Sequence, residues 1–384
     1  MPRTPHIGCT LLLLYCRAGF EAECAKEIAA VCGALEIGGF VRSKPGAGFV
    51  EFVLHDPADS VRLVDGVRYD RLVFARQLVF GVTTLRDLPS ADRLVALMPA
   101  IAALGTSFSA LLLETADTNE AKELAAFCRK FRVPLAAAMS RSALLDEGQS
   151  GLPRLHLFFV TSAIVTIGVS FPGNSSPWPM GIPRLRLPPR APSRSTLKLA
   201  EALQLWLTPD AEAALLHEGV TAVDLGAAPG GWTAQLVRRG VQVTAVDNGP
   251  MDKALLDTGL VEHVRADGFG YRPRFPVGWM VCDIVEQPKR VAALVAEWLA
   301  NGWCTHCIFN LKLPMKKRFD ELEHCRRLLL DRWRAEDIRC ELRFKHLYHD
   351  REEITAYAFR EGAQPRRAAR KNPARRHDQG RNRQ

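Results

Sequence analysis

Four charged side chains fall where a chain of alternating strands and helices would bring side chains together. Asp283 ends the apolar run WMVC, and Lys312 ends the run CIFNL. Lys198 lies in the helix-like segment STLKL, and Glu353 begins the run EITAYAF. A charge at the end of a buried strand must be paired or used, so Asp283 and Lys312 indicate a reaction site. Lys198 and Glu353 are equally compatible with solvated positions, but the four together supply the amines and carboxylates of acid–base chemistry.

A loop almost without side chains follows the strand predicted at residues 221–225. It reads GAAPGG, from Gly226 to Gly231, and a helix is predicted directly after it. Such a loop lets a ligand touch the backbone, and the helix N-terminus offers amide hydrogens and the positive end of a dipole. Asp247, 21 residues past Gly226, can bind the ribose hydroxyls of an adenosine. A tight strand–helix turn without a ligand would give the same loop. The spacing of Asp247 from the loop is therefore what makes a cofactor site the more specific interpretation.

The loop favours S-adenosylmethionine over a dinucleotide. A dinucleotide requires G-x-G-x-x-G, whereas here Ala228 replaces the central glycine and Pro229 removes an amide from the turn. S-adenosylmethionine carries no phosphate and needs a loop against its methionine part, an acid for its ribose and a polar group near its adenine. Asp267, after a short third strand, suits the adenine contact. The residues therefore predict S-adenosylmethionine as the cofactor and disfavour a dehydrogenase.

The second half of the chain repeats a strand-then-helix pattern. Strands are predicted at residues 221–225, 241–246, 263–265, 278–282 and 304–311, and helices at 197–207, 232–239, 289–301 and 319–337. A hairpin-like pair of strands ends the pattern, at 339–347 and 353–360. This alternation predicts a doubly wound, mostly parallel α/β sheet of the Rossmann type, whose chemistry lies at the carboxyl ends of its strands.

The first half alternates strands and helices without a glycine-rich loop. Strands are predicted at residues 11–16, 40–41, 48–54 and 109–117, helices at 20–32, 91–103 and 119–131, and a last strand-like run at 155–171. This pattern predicts one or two small α+β layers. It contains no group of residues typical of catalysis.

A connector dense in proline and glycine, residues 172–195, separates the halves and predicts an extended segment rather than a helix. Four arginines on it either solvate the connector or face a phosphate backbone: Arg184, Arg186, Arg190 and Arg194. The predicted divisions of the chain are residues 1–171, the connector, residues 196–363 and a basic tail, residues 364–384.

Composition and charge describe a globular body with a basic tail. Of the 384 residues, 47% are apolar and 24% charged, which excludes a largely disordered protein. The formal net charge is +9, and about +7 of it lies in residues 364–384, which hold eight Arg or Lys against one Asp. We expect this tail to be disordered, either as a solubilising segment or as an arm that seeks the phosphates of nucleic acid.

Cysteine use and hydropathy predict a cytoplasmic protein without a metal site. The ten cysteines sit mostly in apolar runs, as reduced core residues do in the cytoplasm. Cys304 and Cys307 form a lone CxxC without two further ligands at matched spacing, so no metal is predicted. The N-terminal apolar core, residues 11–15, is too short for a secretion signal. No run approaches the roughly 18 apolar residues of a membrane span.

Short strings in both halves closely resemble those of the bacterial large-subunit ribosomal RNA methyltransferases of the M type. They are DTNEAKELAAFCRKF, NSSPWPMGIPRLR, APSRSTLKL, AVDLGAAPGGWT, AVDNGPM, ADGF, WMVCD, NGWC, FNLKLPMKKR and LYHDREE. These enzymes methylate the ribose 2′-hydroxyl of one cytidine in 23S rRNA. The resemblance implies this activity, with 23S rRNA or a large-subunit precursor as partner. It also implies a ferredoxin-like and THUMP-type RNA-binding region before the methyltransferase domain, and we expect a monomer.

The resemblance also implies roles for individual residues. In the wider family of heat-shock-type 2′-O-methyltransferases a Lys-Asp-Lys-Glu tetrad performs the chemistry, and the matching positions are Lys198, Asp283, Lys312 and Glu353. Lys312 would accept the proton; burial and the neighbouring Lys198 favour its neutral form, whereas Asp283 opposes it. The positions implied for cofactor contacts are Ser195, Ala228, Pro229, Gly230, Gly231, Asp247, Asp267 and Asp283. Two features depart from the family: Ala228 stands where relatives often have cysteine, and the basic tail extends beyond the family core.

Other activities fit the strand ends less well. A methyltransferase acting on a cytosine carbon would need Pro-Cys after the fourth strand, but Ile284 and Val285 follow Asp283. An amino-group methyltransferase would show Asn-Pro-Pro-aromatic, whereas residues 310–313 read NLKL. A non-catalytic rRNA-binding assembly factor that retains a cofactor loop is the alternative from outside enzymology.

Overall fold

The structure, a computed structural model, describes residues 8–362, which form two seven-stranded sheets with helices packed against them. The elements of the first half are β1 (Leu11–Tyr15), α1 (Glu21–Ala34), β2 (Gly39–Ser43), β3 (Phe49–Leu54), α2 (Ser60–Gly66), β4 (Gln77–Leu85), α3 (Arg93–Ala102), β5 (Ala110–Glu114), α4 (Lys122–Arg141), β6 (Arg154–Thr161) and β7 (Ile164–Ser170). Those of the second half are α5 (Thr196–Trp206), α6 (Pro209–Leu215), β8 (Thr221–Leu225), α7 (Gly231–Val237), β9 (Gln242–Val246), α8 (Lys253–Leu256), β10 (Val261–Val264), β11 (Val277–Cys282), α9 (Pro288–Ala300), β12 (Cys304–Lys312), α10 (Arg318–Ala335), β13 (Cys340–Lys345) and β14 (Glu353–Arg360).

The first sheet runs in the order β2-β3-β1-β4-β7-β6-β5, and its neighbours are antiparallel except for the parallel pair β5 and β6. Strand β4 joins its two parts, because it pairs with β1 along one edge and with β7 along the other. The predicted α+β composition is therefore present, but as one continuous sheet. Every residue of the interior strand β1 is buried, as its apolar sequence LLLLY requires.

Two elements of the first half differ from the prediction. The run at residues 155–171 is a hairpin of β6 and β7 rather than one strand, because the exposed Ser162 lies in a turn between them. Helix α4 continues through Pro134 to Arg141 instead of ending at residue 131. The buried side chains of Leu135 and Met139 stabilise this part of the helix by packing, in spite of the amide that proline removes.

The second sheet has the order β10-β9-β8-β11-β12-β14-β13. Its first five strands are parallel, and β14 lies antiparallel to both β12 and β13. This order is the predicted doubly wound arrangement. The carboxyl ends of β8, β9, β11 and β12 therefore lie at one edge of the sheet, together with the amino end of β14. The sequence does not predict the short helices α6 and α8, because seven and four residues leave little periodicity to detect.

The connector is less extended than its composition predicts, because its first part is bonded to the first half. Asn174 accepts a hydrogen bond from the Tyr69 amide and donates one to the Val67 carbonyl. The Ser176 amide donates to the side chain of the buried Gln77. These bonds satisfy backbone groups that would otherwise be buried without partners, so the start of the connector is fixed in place.

The two halves pack directly against each other. Helix α1 contacts α10, and the rings of Phe74 and Phe319 lie with their centroids 6.4 Å apart. At the edge strand β13, the Lys345 ammonium donates hydrogen bonds to the carbonyls of Tyr69 and Leu72. Apolar packing and buried polar contacts thus both fix the orientation of the second sheet relative to the first.

The predicted basic tail, residues 364–384, lies outside the described residues. Within residues 8–362, no helix has the length and apolar character needed to cross a membrane.

Candidate active site

The loop between β8 and α7 is packed too tightly for side chains. Gly230 has a φ of 117°, a backbone conformation that favours glycine. A β-carbon at Gly230 would overlap the Leu255 side chain, and one at Gly231 would overlap the hydroxyl groups of Ser193 and Ser195. The backbone of the loop therefore lies directly against α8 and the residues that lead into α5.

Asp247, at the end of β9, helps to shape the loop. Its Oδ2 accepts a hydrogen bond from the Ala228 amide at 3.0 Å, and its Oδ1 accepts one from the Gly249 amide at 2.7 Å. Each carboxylate oxygen has a second lone pair, so both can still accept a bond from a ligand. Asp267, exposed after β10, accepts a hydrogen bond from the Phe269 amide at 3.1 Å. The two acids thus follow neighbouring strands at the same edge of the sheet.

Lys198, Asp283, Lys312 and Glu353 meet at this edge. The Lys312 Nζ lies 2.5 Å from Asp283 Oδ1, the Lys198 Nζ lies 3.6 Å from Asp283 Oδ2, and Lys198 also pairs with Glu353. The register of β12 and β14 places Lys312 directly opposite Glu353. Asp283 follows β11, the parallel neighbour of β12, and Lys198 comes from the first turn of α5. The topology of the sheet therefore brings together four residues that are up to 155 positions apart.

Electrostatics distinguish the members of this tetrad, whose side chains are only 10% to 22% exposed. Burial alone would raise the pKa of Glu353, but Lys312 and Lys198 outweigh it and hold that pKa below its ordinary value. Burial would likewise lower the pKa of Lys198, but Asp283 and Glu353 raise it above its ordinary value. The Lys198–Glu353 pair is therefore charged on both sides at neutral pH.

Comparison with known proteins places the chain in a family. Three family models match it: the RlmM ferredoxin-like domain at residues 9–79, the N-terminal region of ribosomal RNA large subunit methyltransferase M at 92–171, and the FtsJ-like methyltransferase at 191–296. The ribosomal RNA large subunit methyltransferase M of Methylococcus capsulatus (strain Bath) is 54% identical, over 90% of this chain and 97% of that protein. That of Aromatoleum aromaticum is 51% identical, over 93% and 98%. The chain belongs to the ribosomal RNA large subunit methyltransferase M family.

Membership in this family confirms the resemblance found in the sequence. It also confirms a Rossmann-type methyltransferase domain in the second half, with S-adenosylmethionine as its cofactor, and a ferredoxin-like domain at residues 9–79. Among solved structures, the crystal structure of TrmN from Thermus thermophilus aligns with 91% of this chain and 99% of that chain, at 16% identity and a TM-score of 0.35.

Asp224, within β8 and just before the glycine-rich loop, is a buried acid that the sequence analysis did not single out. It is 1% exposed; its Oδ2 accepts a hydrogen bond from the Thr233 hydroxyl at 2.6 Å, and its Oδ1 has no partner among the described residues. Burial, with the nearby charges of Asp283 and Asp247, raises the pKa of Asp224 to about 7. The available signal was an acid inside an apolar strand two residues before the loop. A buried acid oxygen without a partner, next to a bare loop, fits a ligand that carries positive charge, as S-adenosylmethionine does.

A chain of hydrogen bonds connects Asp283 to a second buried acid that sequence reasoning missed. Burial and the neighbouring Glu353 raise the pKa of Asp350 well above its ordinary range, which favours its protonated form. The Thr355 hydroxyl lies 2.9 Å from Asp350 Oδ1 and 2.8 Å from Asn310 Oδ1, and Asn310 Nδ2 donates to Asp283 Oδ1 at 2.8 Å. Each group can thus donate to the next, from Asp350 to Asp283, which fixes the carboxylate that contacts both lysines.

The residues predicted from the sequence form two adjoining groups. The loop from Ala228 to Gly231 and Asp247 make up one group, and the tetrad makes up the other. Ser195 joins them, because its hydroxyl lies where a side chain of Gly231 would be and it begins the helix that carries Lys198. The arrangement can hold a cofactor through backbone contacts on one side and orient a hydroxyl group on the other.

Proposed function

We propose that the protein transfers a methyl group from S-adenosyl-L-methionine to the ribose 2′-hydroxyl of one cytidine in 23S rRNA, with Lys312 as the proton acceptor. The observation that carries the proposal is the convergence of Lys312, Asp283, Lys198 and Glu353 beside the glycine-rich loop. The reaction needs a positioned proton acceptor and a fixed orientation of the hydroxyl group, and these four side chains supply both. The relatives' names specify large-subunit ribosomal RNA, and the resemblance of the motifs specifies the ribose of a cytidine.

The two lysines have different neighbours and therefore different proposed roles. S-adenosylmethionine, when bound, supplies a methyl group that its sulfonium already activates. Lys198 stays cationic between Asp283 and Glu353 and orients the ribose oxygens as a hydrogen-bond donor. Lys312 contacts a single oxygen of Asp283, and in its neutral form it takes the proton of the 2′-hydroxyl. Asp283 holds Lys312 in position, and Asn310 fixes Asp283 in turn.

The proposed cofactor contacts follow from the groups that surround the loop. The backbone from Ala228 to Gly231, including the exposed Pro229, lies against the methionine part, together with the Ser195 hydroxyl. Asp247 accepts hydrogen bonds from the ribose hydroxyls of the cofactor, and Asp267 contacts its adenine. Asp283 lies between the cofactor and the lysines. Gly230 and Gly231 keep the loop in this shape, because side chains at these positions would overlap Leu255 and the hydroxyl groups of Ser193 and Ser195.

Replacing Lys312 by Ala tests the proposed proton acceptor. We expect transfer of tritiated methyl from labelled S-adenosylmethionine to 23S rRNA to be lost, while the Kd for the cofactor, measured by calorimetry, stays largely unchanged. The physical reason is that Lys312 acts on the hydroxyl proton and does not hold the cofactor loop. Resistance of the methylated linkage to alkali would show that the ribose carries the methyl group.

Lys316→Ala is the matched control, because Lys316 is an exposed lysine four residues further along the same segment. It should retain transfer. Normal turnover in Lys312→Ala would refute the role of Lys312. Absence of transfer by the unchanged protein, with 23S rRNA binding retained, would instead favour the non-catalytic assembly factor.

The division of the chain and its setting complete the proposal. We assign residues 1–171 to a ferredoxin-like and THUMP-type RNA-binding region, 172–195 to the connector, 196–363 to the methyltransferase domain and 364–384 to a basic tail. The protein would act as a monomer in the cytoplasm, on 23S rRNA or a large-subunit precursor. Mapping the methylated nucleotide in cells that lack the protein tests the substrate directly.

A further inference from the structure

A cavity of about 600 Å³ lies between the two halves of the protein, next to the tetrad. It reaches the tetrad through Lys198 and Glu353, and its lining, as far as the described residues go, includes none of residues 226–231. Its volume is within the range of about 300–1,000 Å³ that is typical of ligand sites. The cavity therefore lies beside the tetrad and adjoins the proposed cofactor site only at Ser195.

The wall of this cavity is basic. It contains five cationic side chains, Arg17, Arg76, Arg194, Lys198 and Arg351, and three acidic residues, Asp117, Asp350 and Glu353. Two of the acids do not balance the other cations: Glu353 is paired with Lys198, and Asp350 favours its protonated form. The excess of positive charge suits an anionic ligand.

Arg76 is a buried cation with an incomplete set of partners. Its side chain is 4% exposed, and its Nη1 lies 3.6 Å from Asp117, whose side chain is 41% exposed. Within residues 8–362 its Nε and Nη2 have no hydrogen-bond partner, and its guanidinium carbon lies 5.2 Å from the centre of the Tyr348 ring. A buried cation with unmet donors raises the free energy of the folded state, and an anion in the cavity would offset that effect.

Arg17 and Arg194 differ in how their side chains are used. The Arg17 Nη1 donates to the carbonyls of Tyr348 and Asp350, at 3.4 and 2.8 Å, and so holds the loop between β13 and β14 in place. Arg194 is exposed, lines the cavity and directly precedes Ser195 at the start of α5. Arg194 is therefore positioned to contact a ligand in the cavity, whereas Arg17 has a structural task.

We propose that Arg76 and Arg194 bind a phosphodiester group of the RNA strand adjacent to the methylated ribose. The inference rests on the proposed function, since it takes RNA as the substrate. Guanidinium groups bind phosphate through two parallel hydrogen bonds, which fixes direction as well as distance. Because only a few covalent bonds separate a phosphodiester from its ribose, a phosphate held in this cavity keeps the 2′-hydroxyl next to Lys198 and Glu353. The site thus holds the ribose that adjoins the bound phosphate in front of Lys312.

The substitutions Arg194→Gln and Arg186→Gln form a matched pair for the test. Both arginines are exposed in the connector, and only Arg194 lines the cavity. Binding of the full-length protein to a 23S rRNA transcript is measured by filter binding over a range of salt concentrations, without cofactor. For Arg194→Gln we expect Kd to rise roughly 10-fold and the slope of log K against log salt to decrease by about one. Arg186→Gln should change neither.

Arg76→Met and Arg76→Lys extend the test to the buried cation. Arg76→Met keeps the volume and removes the charge, so we expect it to reduce the salt slope as Arg194→Gln does. Arg76→Lys keeps the charge and should retain most of the slope, although it loses the paired hydrogen bonds. If Arg76→Met does not fold, as judged by near-ultraviolet circular dichroism, the comparison of Arg194→Gln with Arg186→Gln decides whether the cavity binds phosphate.

Two further measurements keep this test separate from the test of the proposed function. The Kd for S-adenosylmethionine should be the same in all folded variants, because neither Arg76 nor Arg194 is among the proposed cofactor contacts. Methyl transfer by the unchanged protein tests the proposed activity. The salt dependence of RNA binding is measured without cofactor and therefore does not depend on that activity. Equal slopes and equal Kd values for Arg194→Gln and Arg186→Gln would overturn the phosphate site, whether or not the protein methylates RNA.

Discussion

Asp224 and Asp350 are both buried carboxyl groups with raised pKa values, yet their hydrogen bonds give them different roles. Asp350 has partners on both oxygens, because Leu347 and Thr355 amides donate to Oδ2 while the Thr355 hydroxyl lies beside Oδ1. Its protonated form therefore fits the surrounding donors and acceptors. Asp224 has Thr233 on one oxygen and no described partner on the other. Asp350 is thus part of the scaffold, whereas Asp224 has an oxygen that a bound ligand can satisfy.

The pH dependence of stability should report the burial of Asp224. Its pKa rises from 3.8 to about 7 on folding, so between these pH values the folded state holds a proton that the unfolded state has lost. Stability therefore falls as pH rises through this window, by up to about 4 kcal/mol for a shift of about 3 units. Asp224→Asn removes this contribution while it keeps an acceptor for Thr233. We expect its free energy of unfolding, from urea titrations, to fall less than that of the unchanged protein between about pH 4.5 and about pH 7.5.

Asp257→Asn serves as the control for this prediction, because Asp257 is an exposed aspartate in the same half of the chain. It should show the same pH dependence as the unchanged protein. An identical loss of stability with pH in Asp224→Asn would mean that Asp224 is ionised in the folded state throughout the range.

The hairpin of β13 and β14 is the element that completes the tetrad. It adds an antiparallel strand beside β12, so that Glu353 at the start of β14 faces Lys312 at the end of β12. The loop before β14 is held by Glu201 of α5, whose carboxylate accepts hydrogen bonds from the Tyr348 and His349 amides. Helix α5 also carries Lys198. The same helix therefore supplies Lys198 and holds the loop that leads to Glu353.

Thr355→Val tests whether the hydrogen bonds across β12 and β14 position the reaction centre. Valine has the same shape but cannot donate to Asn310, so Asn310 holds Asp283 less firmly. We expect kcat to fall roughly 10-fold because the hydroxyl group and Lys312 are less well aligned, with the Kd for S-adenosylmethionine unchanged. Single-turnover methyl transfer measures the effect.

Thr305→Val, a buried threonine at the other end of β12, is the control for packing. It should leave kcat nearly unchanged. An equal effect of both substitutions on kcat would show that general disturbance of the sheet, and not the bond to Asn310, is responsible.

At the scale of the whole molecule, a buried lysine fixes the contact between the two halves. Lys345 of β13 is 5% exposed, donates to the carbonyls of Tyr69 and Leu72, and lies 3.7 Å from the centre of the Tyr69 ring. Burial lowers the pKa of Lys345 to about 7, although Glu27 opposes this. Glu27 in turn accepts hydrogen bonds from the Val73 and Phe74 amides. The segment from Tyr69 to Phe74 is therefore bonded to Lys345 of the second half through its carbonyls and to Glu27 of the first half through its amides.

Lys345→Met should weaken this contact. The substitution keeps a long apolar side chain but leaves the buried Leu72 carbonyl without a donor among the described residues, while the Tyr69 carbonyl keeps only the bond from the Leu72 amide. We therefore expect a loss of roughly 2 kcal/mol in the free energy of unfolding. Lys253→Met, at an exposed lysine, should change it little. Urea titrations of both variants measure the difference, and equal stability of the two would contradict the role of Lys345.

Much of the fold and part of the site could be read from local patterns. The alternation of strands and helices predicts the Rossmann-type sheet, because side-chain periodicity reflects which face of each element is buried. The bare loop and Asp247 are predictable for the same reason, since backbone conformation and strand spacing are short-range properties. Asp224 and Asp350 could not be assigned in this way: their positions are visible in the sequence, but the burial that raises their pKa values arises only when the sheet packs.

Local sequence was enough to predict the glycine-rich loop, the acid at the end of the next strand and the charges that end β11 and β12. Three features depend on the packing of distant segments: β14 inserts antiparallel beside β12, α5 brings Lys198 to Glu353, and Arg76 and Arg194 line one cavity between the halves. The physical reason is the range of the interactions involved. Local conformation depends on neighbouring residues, whereas contacts between distant segments depend on which faces can be buried together, and that is settled only when the whole chain packs.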